Sequence, residues 1–310
     1  MLLLLTSLAM ANPCGDADCP IVAELSAVIQ TTPADPWDAL TGVNPGDYAD
    51  QGLRPEVLAL ALTAFAEAWA RGDTERKTLT VIDYSMHSSD ERMWVLDLES
   101  GEVLFNTHTA HGSGSGMATG DSFSNIEDSH QSNVGLMVTA ETYYGKHGYS
   151  LRMDGQESGF NSNARDRAIV IHAADYMTQS YIDSRGRAGR SWGCPALPPN
   201  ISRALIDAIK GGTVVFGYAP VSEWLSGSDY LGERGDAAAA NLPPPTLRRG
   251  AEGASVERLQ TALQAAGFYD GRIDGDFGRG TRRAVQAFQR GAGLPDDGVV
   301  GATTWEALGR

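Results

Sequence analysis

Two stretches, RAIVIHAADYM at residues 167–177 and GRSWGCPAL at residues 189–197, decide how this sequence is to be interpreted. The first begins as a nearly continuous apolar run, which is typical of a buried β-strand, and that run ends at His172. The second places Cys194 between a glycine and a proline, an unusual setting for a core residue. A histidine at the end of a strand and a cysteine 22 positions later together indicate a cysteine–histidine site.

Cysteine catalysis requires a thiol, a base that removes its proton and later returns it, and backbone amides that hold an oxyanion. Cys194 is the candidate nucleophile, His172 is the candidate base, and Gly193 allows the backbone to approach a substrate carbonyl. Each residue taken singly has a structural alternative, because isolated histidines and cysteines commonly belong to a core. No cluster of ligand residues suggests a metal, so we expect neither a metal nor another cofactor.

The sequence before these stretches changes from a helical to a strand-like pattern. A helix is predicted from about Arg54 to Arg71, and residues 79–85 and 93–112 then alternate between apolar and polar side chains. Residues 112–133 are polar and rich in glycine, which predicts a long loop that is either functional or disordered. We therefore predict an α+β fold in which residues 53–224 form a β-rich catalytic core with flanking helices.

These motifs resemble those of the L,D-transpeptidase (YkuD-type) catalytic domain, in its murein L,D-transpeptidase branch. The stretches AHGSGSG at residues 110–116, FSN at 123–125 and YYGKHGYSLRMDG at 143–155 extend the resemblance over roughly residues 54–220. It implies that the cysteine attacks a peptidoglycan stem peptide at the L-centre of its diamino acid and releases the terminal D-alanine. The resulting thioester would then pass its acyl group to an amine.

The resemblance assigns a role to each residue of the cysteine segment. It makes Cys194 the nucleophile and His172 the general base and acid, and it assigns the oxyanion amides to Gly193 and Cys194. It also implies that the backbone carbonyl of Ala173 orients the imidazole. The sequence departs from the familiar signature at Trp192, where a histidine is expected, which leaves the choice of acyl acceptor open.

Four further residues are candidates for substrate binding: His111, Arg190, Ser191 and Trp192. His111 begins the glycine-rich loop and could face the cleft in place of the missing histidine, or it could simply bond to its own loop. Arg190 could pair with a substrate carboxylate, because a guanidinium suits bidentate recognition, or it could be a solvated surface charge.

The end of the chain has the composition of a separate unit. Residues 225–246 are polar, rich in alanine and close with three prolines, which predicts a linker. Residues 247–310 contain three short amphipathic helices separated by Asp-Gly turns and resemble the three-helix peptidoglycan-binding domain. From residue 246 onward the net charge is +1, whereas the rest of the chain carries −16. We therefore predict a small all-α module that holds the enzyme at peptidoglycan.

The N-terminus predicts export to the periplasm or cell envelope. Residues 1–11 are apolar and end in a small-x-small pattern, as a signal peptide does, although a frayed apolar terminus is the alternative. A loop-rich segment follows at residues 12–52, in which Cys14 and Cys19 are either bridged to each other or free. No segment is long and apolar enough to predict an integral membrane helix, and the net charge of −15 argues against a nucleic-acid partner.

Three functions remain open from the sequence. The first is L,D-transpeptidation through a Cys194 thioester. The second is hydrolysis of the same thioester, as in an L,D-carboxypeptidase, because water and an amine compete for one acyl-enzyme. The third is a wall-binding protein with an inactive catalytic domain, against which the intact His172 and Cys194 argue.

Overall fold

The computed structural model describes residues 42–241, 246–251 and 254–309. The predicted signal peptide, most of the loop-rich N-terminal segment, and Cys14 with Cys19 lie outside these ranges. The described residues divide into two compact units. The first consists of the residues up to Ala219 together with Gly227–Arg234. The second consists of Pro220–Ser226 together with the residues from Gly235 onward.

The first unit is built on one eight-stranded sheet with the strand order β3-β2-β1-β8-β4-β5-β6-β7. Strands β1 with β8 and β6 with β7 run parallel, and the other neighbours run antiparallel. The strands are β1 Thr78–Asp83, β2 Met93–Asp97, β3 Val103–Thr107, β4 Gly135–Gly145, β5 Gly148–Gly155, β6 Val170–Ala173, β7 Ala196–Leu197 and β8 Val214–Tyr218.

Backbone hydrogen bonds connect the two ends of this strand order. The N–H of Ala110, just beyond β3, donates to the carbonyl of Ala196 in β7 at 3.0 Å. Farther along, the N–H of Ser191 donates to His111 O at 3.0 Å, and the N–H of Ser113 donates to Ser191 O at 2.8 Å. The sheet therefore curls into a barrel-like core, and the glycine-rich loop is drawn against the segment that carries Cys194.

Three helices flank the sheet of the first unit: α1 Pro55–Arg71, α2 Gln179–Arg185 and α3 Pro199–Ile209. The first matches the helix predicted from the sequence, with proline in its first turn and Gly72 in the left-handed conformation at its end (φ 79°). Its apolar side chains, among them Leu58, Ala61 and Phe65, are completely buried. A β-rich core with flanking helices is thus confirmed.

The segment predicted as a linker is largely helical, which differs from the expectation. Helix α4 spans Ser222–Gly227 and helix α5 spans Gly232–Asn241. Between them Tyr230 is buried, and its hydroxyl donates to Asp73 at 2.7 Å. The prediction rested on the polar and alanine-rich composition and did not anticipate that Tyr230 would be buried within the first unit. The three prolines at residues 243–245 lie outside the described residues.

The second unit contains the three predicted helices, α6 Ala254–Ala265, α7 Arg279–Gly291 and α8 Ala302–Ala307. Their apolar faces form one small core, as the helical spacing predicted. The buried side chains of that core are Leu247, Val256, Leu259, Leu263, Phe277, Ala284, Val285, Phe288, Val300 and Trp305. The all-α module is therefore confirmed.

A repeated hydrogen-bonding device holds the two Asp-Gly turns of this module. The Gln260 carboxamide accepts from the N–H of Gly275 at 3.1 Å and donates to Asp274 at 2.8 Å. The Gln289 carboxamide does the same at the second turn, accepting from the N–H of Gly298 at 3.0 Å and donating to Asp297 at 3.1 Å. The helices and Asp-Gly turns of this module thus form a structural repeat, in which a glutamine of each helix fixes the turn that follows it.

In the parts of the chain that the structure describes, no helix combines the length and the apolar character that crossing a bilayer requires.

Candidate active site

The candidate nucleophile lies beside the strand that carries the candidate base. In the parallel pair β6–β7, His172 is in register with Ala196, and Cys194 lies two positions before Ala196, the first residue of β7. The Cys194 sulfur accepts from the N–H of Val170 at 3.5 Å. Since side chains two residues apart on a strand share a face, Val170 and His172 present the same side of β6. The parallel register thus brings Cys194 and His172 to the same end of the sheet.

A strained turn before β6 fixes the thiol. Ala168 has a positive φ of 53°, which is uncommon for a residue other than glycine. Its carbonyl accepts from the Cys194 thiol at 3.6 Å. Such a conformation costs about 1–3 kcal/mol and persists only where the surrounding structure determines it. The turn therefore supplies both backbone groups that contact the sulfur, and nothing in the sequence around Ala168 indicated this.

The imidazole of His172 is held in one tautomer. His172 is only 2% exposed, and its Nδ1 lies 2.8 Å from the carbonyl oxygen of Ala173. Because a carbonyl only accepts, Nδ1 carries the hydrogen in this bond and Nε2 retains its lone pair. Nε2 is thus the nitrogen that can accept a proton. The contact is the one that the resemblance implied for Ala173, whose side chain takes no part.

Burial makes both reacting groups neutral. Burial lowers the pKa of His172 from 6.5; the hydrogen bond to Ala173 opposes this shift, and the neighbouring His147 and the charge of Lys146 add to it. Burial also raises the pKa of Cys194. The N–H of Val170 and the charges of Arg167 and Lys146 lower this pKa, but they do not cancel the effect of burial. The resting pair is therefore a thiol and a neutral imidazole rather than a thiolate and an imidazolium.

The backbone amide of Gly193 is already engaged, contrary to the role predicted for it. Its N–H donates to the hydroxyl of Ser191 at 3.0 Å, and that hydroxyl donates to the carbonyl of Cys194 at 2.7 Å. Over the described residues, the N–H of Cys194 itself donates to no protein acceptor. Of the two amides that the resemblance assigned to the oxyanion, only that of Cys194 is without a protein acceptor among the described residues. Gly193 instead allows the turn, since it has φ 122° and a Cβ there would lie 2.7 Å from Gln131 O.

The hydroxyl of Ser191, a predicted substrate contact, bonds to the backbone around Cys194. It is buried, and both hydrogen-bonding functions of its hydroxyl are directed at the turn around Cys194. A buried hydroxyl that joins two backbone groups within four residues fixes the shape of that turn. The position of the sulfur thus depends on Ser191 although this side chain does not face the cleft.

Replacing Ser191 with alanine is expected to slow acylation of Cys194 by up to about thirtyfold, because two hydrogen bonds worth about 1 kcal/mol each are lost from the turn. The rate at which a thiol-directed acylating reagent modifies Cys194, followed by intact-protein mass spectrometry, measures this. Ser184→Ala, at an exposed helical serine, is the matched control. A faster reaction in Ser191→Ala would contradict the positioning role and show that the freed Gly193 amide joins the oxyanion site.

His111 is buried and does not face the cleft, which corrects its prediction as a substrate-binding residue. Its exposed fraction is 0%, and its Nδ1 accepts from Nη2 of the buried Arg92 at 2.7 Å. Burial and the nearby guanidinium lower the pKa of His111 to about 3, so the ring is neutral. Its Nε2 faces the carbonyl of Gly116 at 3.4 Å. The alternative considered for this histidine, bonding within its own loop, describes it better.

The other two predicted substrate contacts differ from each other. Arg190 is half-buried, and its Nη1 donates to the carbonyls of Ser113 at 3.2 Å and Gly116 at 3.0 Å. Its guanidinium thus ties the glycine-rich loop to the cysteine segment, which leaves fewer donors for a substrate carboxylate. Trp192, in contrast, is 69% exposed. It is the predicted residue whose side chain is most open to a substrate.

Sequence reasoning missed three residues near the site: His147 and Lys146 on the β4–β5 turn, and Arg167. The β4–β5 turn places the imidazole of His147 against that of His172, with 4.3 Å between the ring centroids, and it brings Lys146 close to the site. From the loop before β6, Arg167 donates to the carbonyl of Gln131 at 2.6 Å, and its charge acts on Cys194. The quoted stretch at residues 143–155 was the available signal for the turn, but its role in the site depends on long-range pairing.

Within residues 42–241, 246–251 and 254–309, no three histidine, cysteine or carboxylate side chains come together as a possible metal site.

Comparisons with known families place the two units. The sequence model of the L,D-transpeptidase catalytic domain matches residues 49–218, more than half of the chain. The model described as a putative peptidoglycan binding domain matches residues 252–308.

Individual relatives cover smaller parts of the chain. A spore cortex-lytic enzyme of Bacillus cereus is 48% identical over 62 residues, which are 20% of this chain and 24% of that protein. A zinc D-Ala-D-Ala carboxypeptidase of Streptomyces albus G is 34% identical over 118 residues, 36% of this chain and 44% of that protein. The chain thus spans about a quarter of the length of the cortex-lytic relative.

Among solved structures, an L,D-transpeptidase from Mycobacterium smegmatis overlaps 46% of this chain and 59% of its own, with 15% identity and a TM-score of 0.30. The SleB N-terminal domain overlaps 21% of this chain and 89% of its own, with 46% identity and a TM-score of 0.21. The family assignment rests on the sequence model.

Proposed function

Since this chain belongs to the family of L,D-transpeptidase catalytic domains, we propose that it is a peptidoglycan L,D-transpeptidase that works through a Cys194 thioester. The proposal is carried by one observation, the placement of Cys194 beside the strand of His172 while the Ala173 carbonyl holds Nδ1 and leaves Nε2 free. No other described cysteine is available as a nucleophile, because Cys194 is the one cysteine within the described residues.

The neutral pair sets how the first half-reaction proceeds. Nε2 of His172 takes the thiol proton as the sulfur attacks the carbonyl of the stem peptide's L-centre, and the Cys194 N–H donates to the oxyanion. The imidazolium then gives its proton to the departing amine of D-alanine, which leaves the thioester. Because the thiol has a raised pKa, proton removal must accompany the attack rather than precede it.

The second half-reaction resolves the thioester with an amine. The acceptor amine attacks the thioester carbonyl, a C–N bond forms, and the C–S bond breaks. His172 takes a proton from the attacking nitrogen and returns it to the departing sulfur, which restores the resting thiol and imidazole. The product is a cross-link between two stem peptides.

The C-terminal unit fits a role in attachment to peptidoglycan. It belongs to the peptidoglycan-binding type by its sequence and has a closed three-helix core. Tethering a binding module to an enzyme raises the local concentration of substrate at the active site. We therefore propose peptidoglycan as the partner of both units, and the periplasm or cell envelope as their location, because the polymer lies there.

Hydrolysis of the same thioester is the second candidate function. Cys194 is half-buried rather than fully enclosed, so water also has access to a thioester at this sulfur. The names of the relatives, a cortex-lytic enzyme and a carboxypeptidase, are those of hydrolases. The two functions share the nucleophile and base and differ only in what resolves the acyl-enzyme.

Muropeptides that carry tetrapeptide stems distinguish these functions. The purified protein is incubated with them, and the products are followed by mass spectrometry. Dimers joined between two diamino acids support transpeptidation, and tripeptide stems alone support hydrolysis. Unchanged muropeptides, with no acyl adduct on the protein, would overturn the enzymatic function and leave a wall-binding protein.

A further inference from the structure

The most exposed aromatic side chain near Cys194 already holds an ammonium group. The indole of Trp192 is 69% exposed, and Nζ of Lys146 lies 5.5 Å from its ring centroid. This distance is within the range in which a cation is attracted to an aromatic face. The indole of Trp192 thus already interacts with a positive group, that of Lys146.

The indole is held in place by a third side chain. The imidazole of His130 stacks on Trp192 with 4.6 Å between the ring centroids and 8° between the planes. His130 has a positive φ of 53° and Asp128 one of 57°, so two residues other than glycine take the left-handed conformation in this loop. Strain of this kind persists where the surroundings determine it, and here it presents an imidazole to the indole.

This ammonium lies close to the reacting groups. Trp192 and Cys194 are two positions apart in the chain, so their Cα atoms lie within about 7 Å of each other. The charge of Lys146 lowers the pKa of both Cys194 and His172, so the position next to the indole is in electrostatic contact with nucleophile and base. A second ammonium at that position would be placed near the thioester.

We propose that the exposed face of Trp192 binds the acceptor's ammonium group, and that Lys146 occupies this place until the acceptor arrives. The inference rests on the proposed function, since it concerns the amine that resolves the thioester. It gives a role to the residue that stands where the familiar signature has a histidine. Trp192 is thus a specificity-determining residue that favours an amine acceptor over water.

The binding must be weak for the chemistry to proceed. An exposed cation–π contact contributes about 0.5–1 kcal/mol, which positions the nitrogen without strongly favouring its charged form. The ammonium releases one proton to solvent, and the neutral amine attacks the thioester carbonyl. A second proton leaves the nitrogen through His172 and returns to sulfur as the C–S bond breaks. The sum is an amide, the restored thiol and one proton in solvent.

The test compares a charged and an uncharged nucleophile. The full-length enzyme is acylated by a tetrapeptide donor in the presence of n-pentylamine, which is protonated at neutral pH, or of hydroxylamine, which is neutral. The ratio of amide or hydroxamate product to hydrolysed product is measured by mass spectrometry. In Trp192→Leu, which keeps an apolar side chain but no π face, we expect the n-pentylamine ratio to fall about threefold to fivefold and the hydroxylamine ratio to stay unchanged.

Two further variants serve as matched controls. Trp192→Phe keeps an aromatic face and should retain most of the n-pentylamine ratio. Lys146→Met removes the competing ammonium and should raise that ratio about twofold, with the hydroxylamine ratio again unchanged. Equal losses for both nucleophiles in Trp192→Leu, or no loss for either, would overturn the inference. A wild-type enzyme that forms no thioester would overturn the proposed function and the inference with it, so the two failures are distinguishable.

Discussion

Cys194→Ala is expected to abolish acyl-enzyme formation and to lower turnover of tetrapeptide muropeptides by about 10⁴-fold or more, the loss typical of removing a nucleophile. Among the described residues Cys194 is the one cysteine, and the nearby Ser191 directs its hydroxyl at the carbonyl of Cys194. Turnover is measured by mass spectrometry of the muropeptides, and the acyl adduct by the mass of the intact protein.

The sequence provides a matched control for this variant. A protein in which Cys14 and Cys19 are both replaced by alanine should still form a single acyl adduct, since the only change is to cysteines that the mechanism does not use. Full activity in Cys194→Ala would contradict the mechanism outright. An adduct that disappears only in the double variant would instead place the nucleophile at the N-terminus.

The same thiol should react slowly with alkylating reagents at neutral pH. Burial raises the pKa of Cys194, and thiolates rather than thiols are the reactive species. In the proposed mechanism, removal of the thiol proton is therefore assisted during attack, so a neutral resting pair requires a well-oriented base.

The sequence contained the parts of the site that are local in the chain. A strand ending at His172 follows from the apolar run before it, and helix α1 follows from its periodicity, its proline and Gly72. The three helices of the C-terminal unit follow from their apolar spacing in the same way. In each case the residues that determine the element are its own neighbours.

The parts that could not be predicted depend on contacts between distant segments. His111 could have faced the cleft or bonded within its own loop, and the structure buries it with its Nδ1 bonded to Arg92, which directly precedes β2. Gly193 was expected to donate its amide, but the side chain of Ser191 reaches that amide first. The turn with Lys146 meets the site only because β4 and β5 bring it there. Polar side chains make such bonds wherever the fold places them, so their partners are not readable from spacing.

Trp192 illustrates how an unexpected residue and an unpredicted contact explain each other. In the sequence, Trp192 stands where the familiar signature has a histidine, which left the identity of the acyl acceptor undetermined. In the structure its indole lies between the loop of His130 and the turn of Lys146. Side chains from two other segments therefore hold the indole of Trp192, as expected if Trp192 has the role in acceptor binding that we propose.

His172→Gln is expected to lower the rate of Cys194 acylation by about 10²–10⁴-fold, the range typical of losing a general base. Glutamine has no nitrogen lone pair that accepts a proton at neutral pH, so the thiol must lose its proton to solvent. Because the pKa of Cys194 is raised, the rate of the variant should climb steadily with pH as thiolate forms. Acylation rates measured by mass spectrometry across a pH series check both effects.

The wild-type profile should differ from this in a way that identifies the base. Burial lowers the pKa of His172, so its imidazole stays neutral and able to accept a proton below pH 6.5, and the acid limb of the profile should lie below that value. His87→Gln, at an exposed histidine that bonds to Ser89, is the matched control and should leave rate and profile unchanged. If His172→Gln kept the acid limb of the wild type, another group would be the base. His147, which stacks on His172, would then be the first residue to replace.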